Sequence, residues 1–208
     1  MATARVTTVL TYANARPSPE QPNLAMEIVD LPLSGAKVIR PRIFRDARGF
    51  FFESYSAALY QKAGMPEVWV QDNHSLSAQG TLRGLHYQST PGQAKLLRVT
   101  RGRIFDAIVD IRRASDTFGK WHGEVIDADD HTQIYIPVGF AHGFCVLSEV
   151  AEVQYKVSTP YDGKHECAIR WNDPEIGVAW PVATPLLSDR DQLSESFAAF
   201  RARSDRAQ

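Results

Sequence analysis

A chain of 208 residues with 44% hydrophobic content can bury one sizeable core. Its net charge of −1 removes any general pull toward nucleic acid or an anionic membrane, so an anionic ligand must meet a local cluster of cations. No apolar run reaches the length of a membrane span. The apolar patch at residues 6–10 is too short and polar for a secretory signal. Cys145 and Cys167 lack metal-ligand spacing, and the expectation is a cytoplasmic protein with reduced core thiols.

Residues 1–25 contain Pro17, Pro19 and Pro22 among small polar residues and read as an N-terminal extension or arm. A sharper pattern begins at Met26, and one domain is expected over 26–191. From there the chain is punctuated by Gly80, Gly102, Gly123 and Gly139 between runs rich in Val, Ile, Phe, Tyr and Thr. Residues 103–113 are the clearest run. Phe105, Ala107, Val109 and Ile111 share one alternating face, with Asp106, Asp110 and Arg112 on the other, although Ile104 and Ile108 break the pattern. Such alternation predicts a half-buried strand. Further strands are expected at 123–126, 133–136, 143–147, 151–157 and 167–171. Helical signal is thin: a short helix over 56–63 capped by Ser56, and one over 192–203 within a C-terminal tail at 192–208. Many short strands with Gly and Pro turns predict an all-β sandwich, barrel or jelly roll with a few short helices.

The chemistry concentrates between Gln71 and Gly102. Residues 82–88 and 94–101 are apolar runs joined by Ser89-Thr90-Pro91-Gly92, which reads as a hairpin. His86 and Lys95 would then sit on adjacent antiparallel strands and share a pocket. A lone histidine on an apolar strand is ordinarily a hydrogen-bonded core residue. Beside Lys95, a group titrating near neutrality reads instead as a base.

Residues 137–142 have the P-x-G-x-x-H spacing of cupins, which are jelly rolls. Upstream, a metal-binding cupin carries two histidines and a glutamate. Here Gly80 precedes His86 at the matching distance, Gln88 replaces the second histidine, and Lys95 replaces the glutamate ahead of Gly102. An ammonium repels a divalent ion, so no metal site is expected. The same ammonium can polarise a carbonyl or steady an enolate oxygen.

On the run 151–157, Tyr155 shares a face with Ala151, Val153 and Val157 and should point inward, as ordinary core or as a functional hydroxyl. Strict alternation turns Arg83 away from His86, unless a bulge at Gly84 brings it round. Arg48 and Glu53 flank three consecutive phenylalanines. These suit core or interface, or a ring that stacks a base while Arg48 meets a phosphate.

Together the stretches DARGFFFES, QDNHSLSAQGTLRGLHYQ, QAKLLRVTRGRIFDAIVDIRRASDTFGKW, IPVGFAHGFCVLS, AEVQYK, WNDPEIGVAWP and LLSDRD resemble the dTDP-4-dehydrorhamnose 3,5-epimerase family of the cupin superfamily. The resemblance runs from Asp46 to Asp191. It implies a cofactor-free isomerase acting on a dTDP-linked 4-keto-6-deoxy-hexose and assembled as a homodimer, with no nucleic-acid or membrane partner. His86 would be the base, held by Asp191, with Tyr155 the proton donor and Lys95 at the enolate oxygen. Arg48, Glu53, Gln71, Asn73, Arg83, His142, Glu166 and Arg190 match substrate-contact positions, the family more often carrying lysine at the last. Alternatives are inversion at C3 or C5 alone, or a cupin that binds a sugar nucleotide without turnover.

Overall fold

The computed structural model describes residues 7–10, 26–65 and 68–204. Most of the arm expected over 1–25, and the tail's last residues, 205–208, lie outside the described residues. In chain order come β1 (Thr7–Leu10), β2 (Met26–Asp30), β3 (Lys37–Arg40), β4 (Phe44–Asp46), β5 (Gly49–Phe51) and helix α1 (Ala57–Lys62). Next are β6 (Gln71–Ala78), β7 (Leu82–Gln88), β8 (Lys95–Arg101), β9 (Arg103–Asp110), β10 (Trp121–Asp127) and β11 (Gln133–Ile136). The chain ends with β12 (Phe140–Val146), β13 (Val150–Val157), β14 (Glu166–Ala168), α2 (Asp189–Gln192) and α3 (Phe197–Ser204).

A seven-stranded sheet, ordered β1-β2-β3-β11-β8-β13-β6, stands opposite a five-stranded sheet, β10-β9-β12-β7-β14. Their strand pairs are antiparallel, and the architecture is the expected cupin-type jelly roll. Leu97, Val99, Ile134 and Val153 from the first sheet meet Ile104, Ile108, Phe140 and Phe144 from the second in the central core. Strands β4 and β5 form a separate two-stranded hairpin. Among the described residues no helix is long and apolar enough to cross a membrane.

Three expectations are corrected. The runs holding His86 and Lys95 do not form a hairpin: β7 pairs with β12 and β14, and β8 with β11 and β13. The segment between them crosses from one sheet to the other, tied down by Ser89 N donating to His165 O, Ala94 N to Ser158 Oγ and Thr159 Oγ1 to Gly92 O. Alternation identifies a strand's two faces but not its neighbours.

Strand β9 is buried on both faces, not half-buried. Its Ile104, Asp106, Ile108 and Asp110 face the opposite sheet, and Asp106 and Asp110 are 1% and 0% exposed. Its Ala107 and Val109 lie under Ile176, Val178, Phe197 and Phe200 of the C-terminal segment.

The helix expected over 192–203 is two pieces, because Glu195 runs extended beside Ile169 and its carbonyl accepts from Arg170 N. Helix α1 does begin after Ser56, but the Ser56 hydroxyl makes no capping bond. Tyr60, 1% exposed, anchors α1 to the outer face of the larger sheet. Of the two free cysteines, Cys145 is buried and Cys167 half-buried.

Candidate active site

Strand β7 carries a bulge at Gly84, the condition under which Arg83 comes round to the side of His86. His86 opposes His142 and Arg83 opposes Phe144, so β7 has one residue more than β12 between these pairs. Arg83 and His86 therefore both face the interior, and the Arg83 Nε donates to Ser77 Oγ on β6 across the sandwich at 3.0 Å. Gly84 takes a φ of +140°, and a Cβ there would lie 2.5 Å from the Gly143 Cα. Only glycine allows that approach.

His86 Nε2 lies 2.5 Å from Asp191 Oδ1. A carboxylate only accepts, so Nε2 carries the hydrogen and Nδ1 keeps a lone pair. The sheet partnership of Leu186 brings Asp191 here: Leu82 N donates to Leu186 O, and Leu186 N to Gly80 O. Ser188 then caps α2, its Oγ accepting from Asp191 N and donating to Asp191 Oδ2. Burial raises the Asp191 pKa, but the bonds from His86 and Ser188 and nearby positive charge outweigh it and hold the carboxyl below its usual range.

From the opposite sheet come Lys95 and Tyr155. On β8, Lys95 alternates with inward-facing Leu97 and Val99. Burial presses its ammonium down to about 8, against the opposing pull of Glu166 and Asp106. Tyr155 packs on the central core, opposite Asn73 on one neighbouring strand and Leu97 on the other. Its pKa is raised by burial and by Glu166, with Arg83 pulling the other way, so the phenol stays protonated.

His142 faces His86 in register and lies 2.7 Å through Nε2 from Asp106 Oδ2. Burial lowers its pKa further than Asp106 raises it. Glu166 on β14 opposes Gln88 and pairs with Arg190. Burial pushes Glu166 up, but the hydrogen bonds from Arg190 and Tyr161 bring it below the ordinary range. Gln71 Nε2 donates to Asn73 Oδ1 at 2.8 Å and Gln71 Oε1 accepts from Tyr161 N.

The remaining two expected residues lie elsewhere. Arg48, with a side chain 90% exposed, occupies the tip of the β4–β5 hairpin and pairs with Asp46. Glu53 follows that hairpin, whose Phe50 packs on His131.

The sequence reading missed Asp106, Ser188 and Tyr161. For Asp106 there was a signal: an acid between Ile104 and Ile108 is an acid on an apolar face. Among the described residues no group of three or more His, Cys, Asp or Glu side chains is arranged to hold a metal ion.

A sequence model of the dTDP-4-dehydrorhamnose 3,5-epimerase family matches residues 30–199. The chain belongs to this family. It is an enzyme of the isomerase class, and the epimerase is 50% identical to a dTDP-4-dehydrorhamnose 3,5-epimerase of Pseudomonas aeruginosa, covering 83% of this chain and 97% of that one. Its fold superposes with a TM-score of 0.83 on a Legionella pneumophila 3,5-epimerase solved with dTDP-4-keto-L-rhamnose, at 41% identity, covering 86% of this chain and 96% of that one. A 3'-monoepimerase of Streptomyces bikiniensis solved with dTDP-quinovose is similar at 34% identity and a TM-score of 0.79, over 84% and 89% of the two chains.

Proposed function

We propose that the epimerase inverts C3 and C5 of dTDP-4-dehydro-6-deoxy-glucose, giving dTDP-4-dehydro-L-rhamnose, through enolate intermediates and with no cofactor. The observation that carries this is His86 on one sheet, paired with Asp191 of α2, with Tyr155 and Lys95 presented from the other sheet. Both carbons flank the C4 ketone, so loss of either proton leaves an enolate. His86 Nδ1 takes the proton, and the C–H electron pair moves into the enolate, whose oxygen meets the Lys95 ammonium. Tyr155 then returns a proton to the same carbon from the other face, restoring the ketone with inverted configuration. Asp191 keeps His86 in the required tautomer and stabilises the imidazolium that forms.

Arg83, Gln71, Asn73, His142, Glu166 and Arg190 surround this group and suit contacts to sugar and diphosphate. The reading places the catalytic domain at 26–191, follows it with the tail at 192–208, and makes the protein a homodimer. Phe50 and Phe51 are 55% and 70% exposed beside Arg48. A second copy would cover these rings and bring Arg48 and Glu53 into use.

Turnover of dTDP-4-keto-6-deoxy-glucose in deuterated water, followed by NMR, tests the reading. Deuterium is expected at both C3 and C5 with wild type and at neither with His86→Ala. Deuterium at one carbon alone makes the protein a monoepimerase; none removes the catalytic assignment.

A further inference from the structure

Asp106 is a buried carboxylate with an unused end. It is 1% exposed; Oδ2 meets His142, while Oδ1 is buried without a hydrogen-bond partner. Leaving a carboxylate oxygen so placed is costly unless a positive charge faces it. His142 does not provide one, since burial favours its neutral imidazole. Lys95 reaches the same interior from the opposite sheet, and the charge of Asp106 acts on its ammonium, after that of Glu166.

We propose that Asp106 is a positioning residue of the epimerase: one oxygen orients His142 and the other gives Lys95 its counter-charge, so that an ammonium rather than an amine meets the ketone oxygen. The role rests on the epimerase reading above. Its logic is electrostatic. An ammonium desolvated between two sheets tends to lose its proton, and an oxyanion site needs that proton kept. Glu166 on β14 and His142 on β12 share Lys95's field, and His86 on β7, Tyr155 on β13 and Arg83 on β7 act on those groups in the same interior. Glu166 is already paired with Arg190, and the histidines and tyrosine carry no negative charge in the resting site. Asp106 is left as the anion with one oxygen still unbonded.

The test compares wild type with Asp106→Asn, which keeps an acceptor for His142 but removes the charge, and with Asp106→Glu, which keeps the charge. Lys95 Nζ is titrated by NMR in 15N-lysine-labelled protein, its signal assigned by its absence in Lys95→Met, and kcat and KM are followed from pH 6 to 10. In Asp106→Asn the Lys95 titration and the alkaline limb of kcat should both move down by about one pH unit, with KM changed less than about threefold. Asp106→Glu should restore the limb toward its wild-type position. A Lys95 titration that Asp106→Asn leaves in place, or a loss of kcat equal at every pH, overturns the proposal. Should Asp106→Asn not fold, Asp106→Ser, which leaves room for a water, carries the same expectation. If Lys95 shifts as stated but wild type turns over no nucleotide sugar, the epimerase reading falls while the Asp106–Lys95 coupling stands.

Discussion

His86 and Asp191 are 105 residues apart in sequence, yet Nε2 and Oδ1 lie 2.5 Å apart. Asp191 is held in turn by Ser188 on both its backbone and its carboxylate. Replacing Asp191 with Asn keeps the shape but removes the charge that stabilises the imidazolium, and an amide that can turn either its oxygen or its NH2 toward Nε2 no longer fixes the tautomer. Turnover of Asp191→Asn should fall by about 10²–10⁴-fold, and the melting temperature at neutral pH should fall as well, because the lowered Asp191 pKa means that the ionised carboxylate stabilises the fold. A steady-state assay beside a melting curve checks both.

In the proposed mechanism Tyr155 acts on the face opposite His86. Removing its hydroxyl in Tyr155→Phe should cut net inversion by about 10²–10⁴-fold while His86 continues to take and return protons on its own side. Deuterium should then wash into recovered substrate of unchanged configuration. Loss of exchange and inversion in equal measure would move the base function away from His86.

Lys95 ties activity and stability to pH in opposite senses. Its folded pKa of about 8 lies below its unfolded value. Between these values the unfolded chain binds the extra proton, so this group's contribution to stability rises with pH across that window. Below about 8 the buried ammonium is carried at a cost. The proposed mechanism needs that ammonium, and activity should decline above about pH 8. Lys95→Met should therefore be nearly inactive, yet melt at pH 7 by roughly 2–4 °C higher per kcal/mol of burial cost relieved. Calorimetry at pH 7 and pH 9.5 tests this; the gain should shrink at the higher pH.

Gly84→Ala should damage fold and site together. The added Cβ meets backbone at Gly143, and the φ of +140° is one that alanine adopts only under strain. A loss of roughly 3 kcal/mol or more is expected. In protein that still folds, the altered bulge should turn Arg83 from the interior and raise KM. A wild-type melting temperature in Gly84→Ala would show that the bulge tolerates a side chain.

The all-β class, the jelly roll and most strands were legible because their causes are local. Alternating β-branched and aromatic residues specify strands, and glycines specify where they end; the run 133–136 was placed with the same bounds as β11. The bulge was legible only as a possibility: Gly84 allowed it, but strict alternation would have turned Arg83 away, and the pairing of β7 with β12 decided between the two. The proposed chemistry was suggested by residue types at His86, Lys95 and Tyr155, since an ammonium where a cupin metal ligand would stand argues for carbonyl polarisation, while Asp191 entered only through the family resemblance.

Partnership was decided only in three dimensions. The sequence by itself put His86 and Lys95 on neighbouring strands, but the sandwich sets them on facing sheets, because strand pairing is chosen by long-range closure and not by the turn between two runs. That closure turns a side-by-side pair into a two-walled pocket, with His86 on one wall and Tyr155 and Lys95 on the other. Asp106 became visible for the same reason. Its face was read as solvent-exposed until the opposite sheet and the C-terminal segment covered both sides of β9, and only burial gives an unpartnered carboxylate oxygen its meaning.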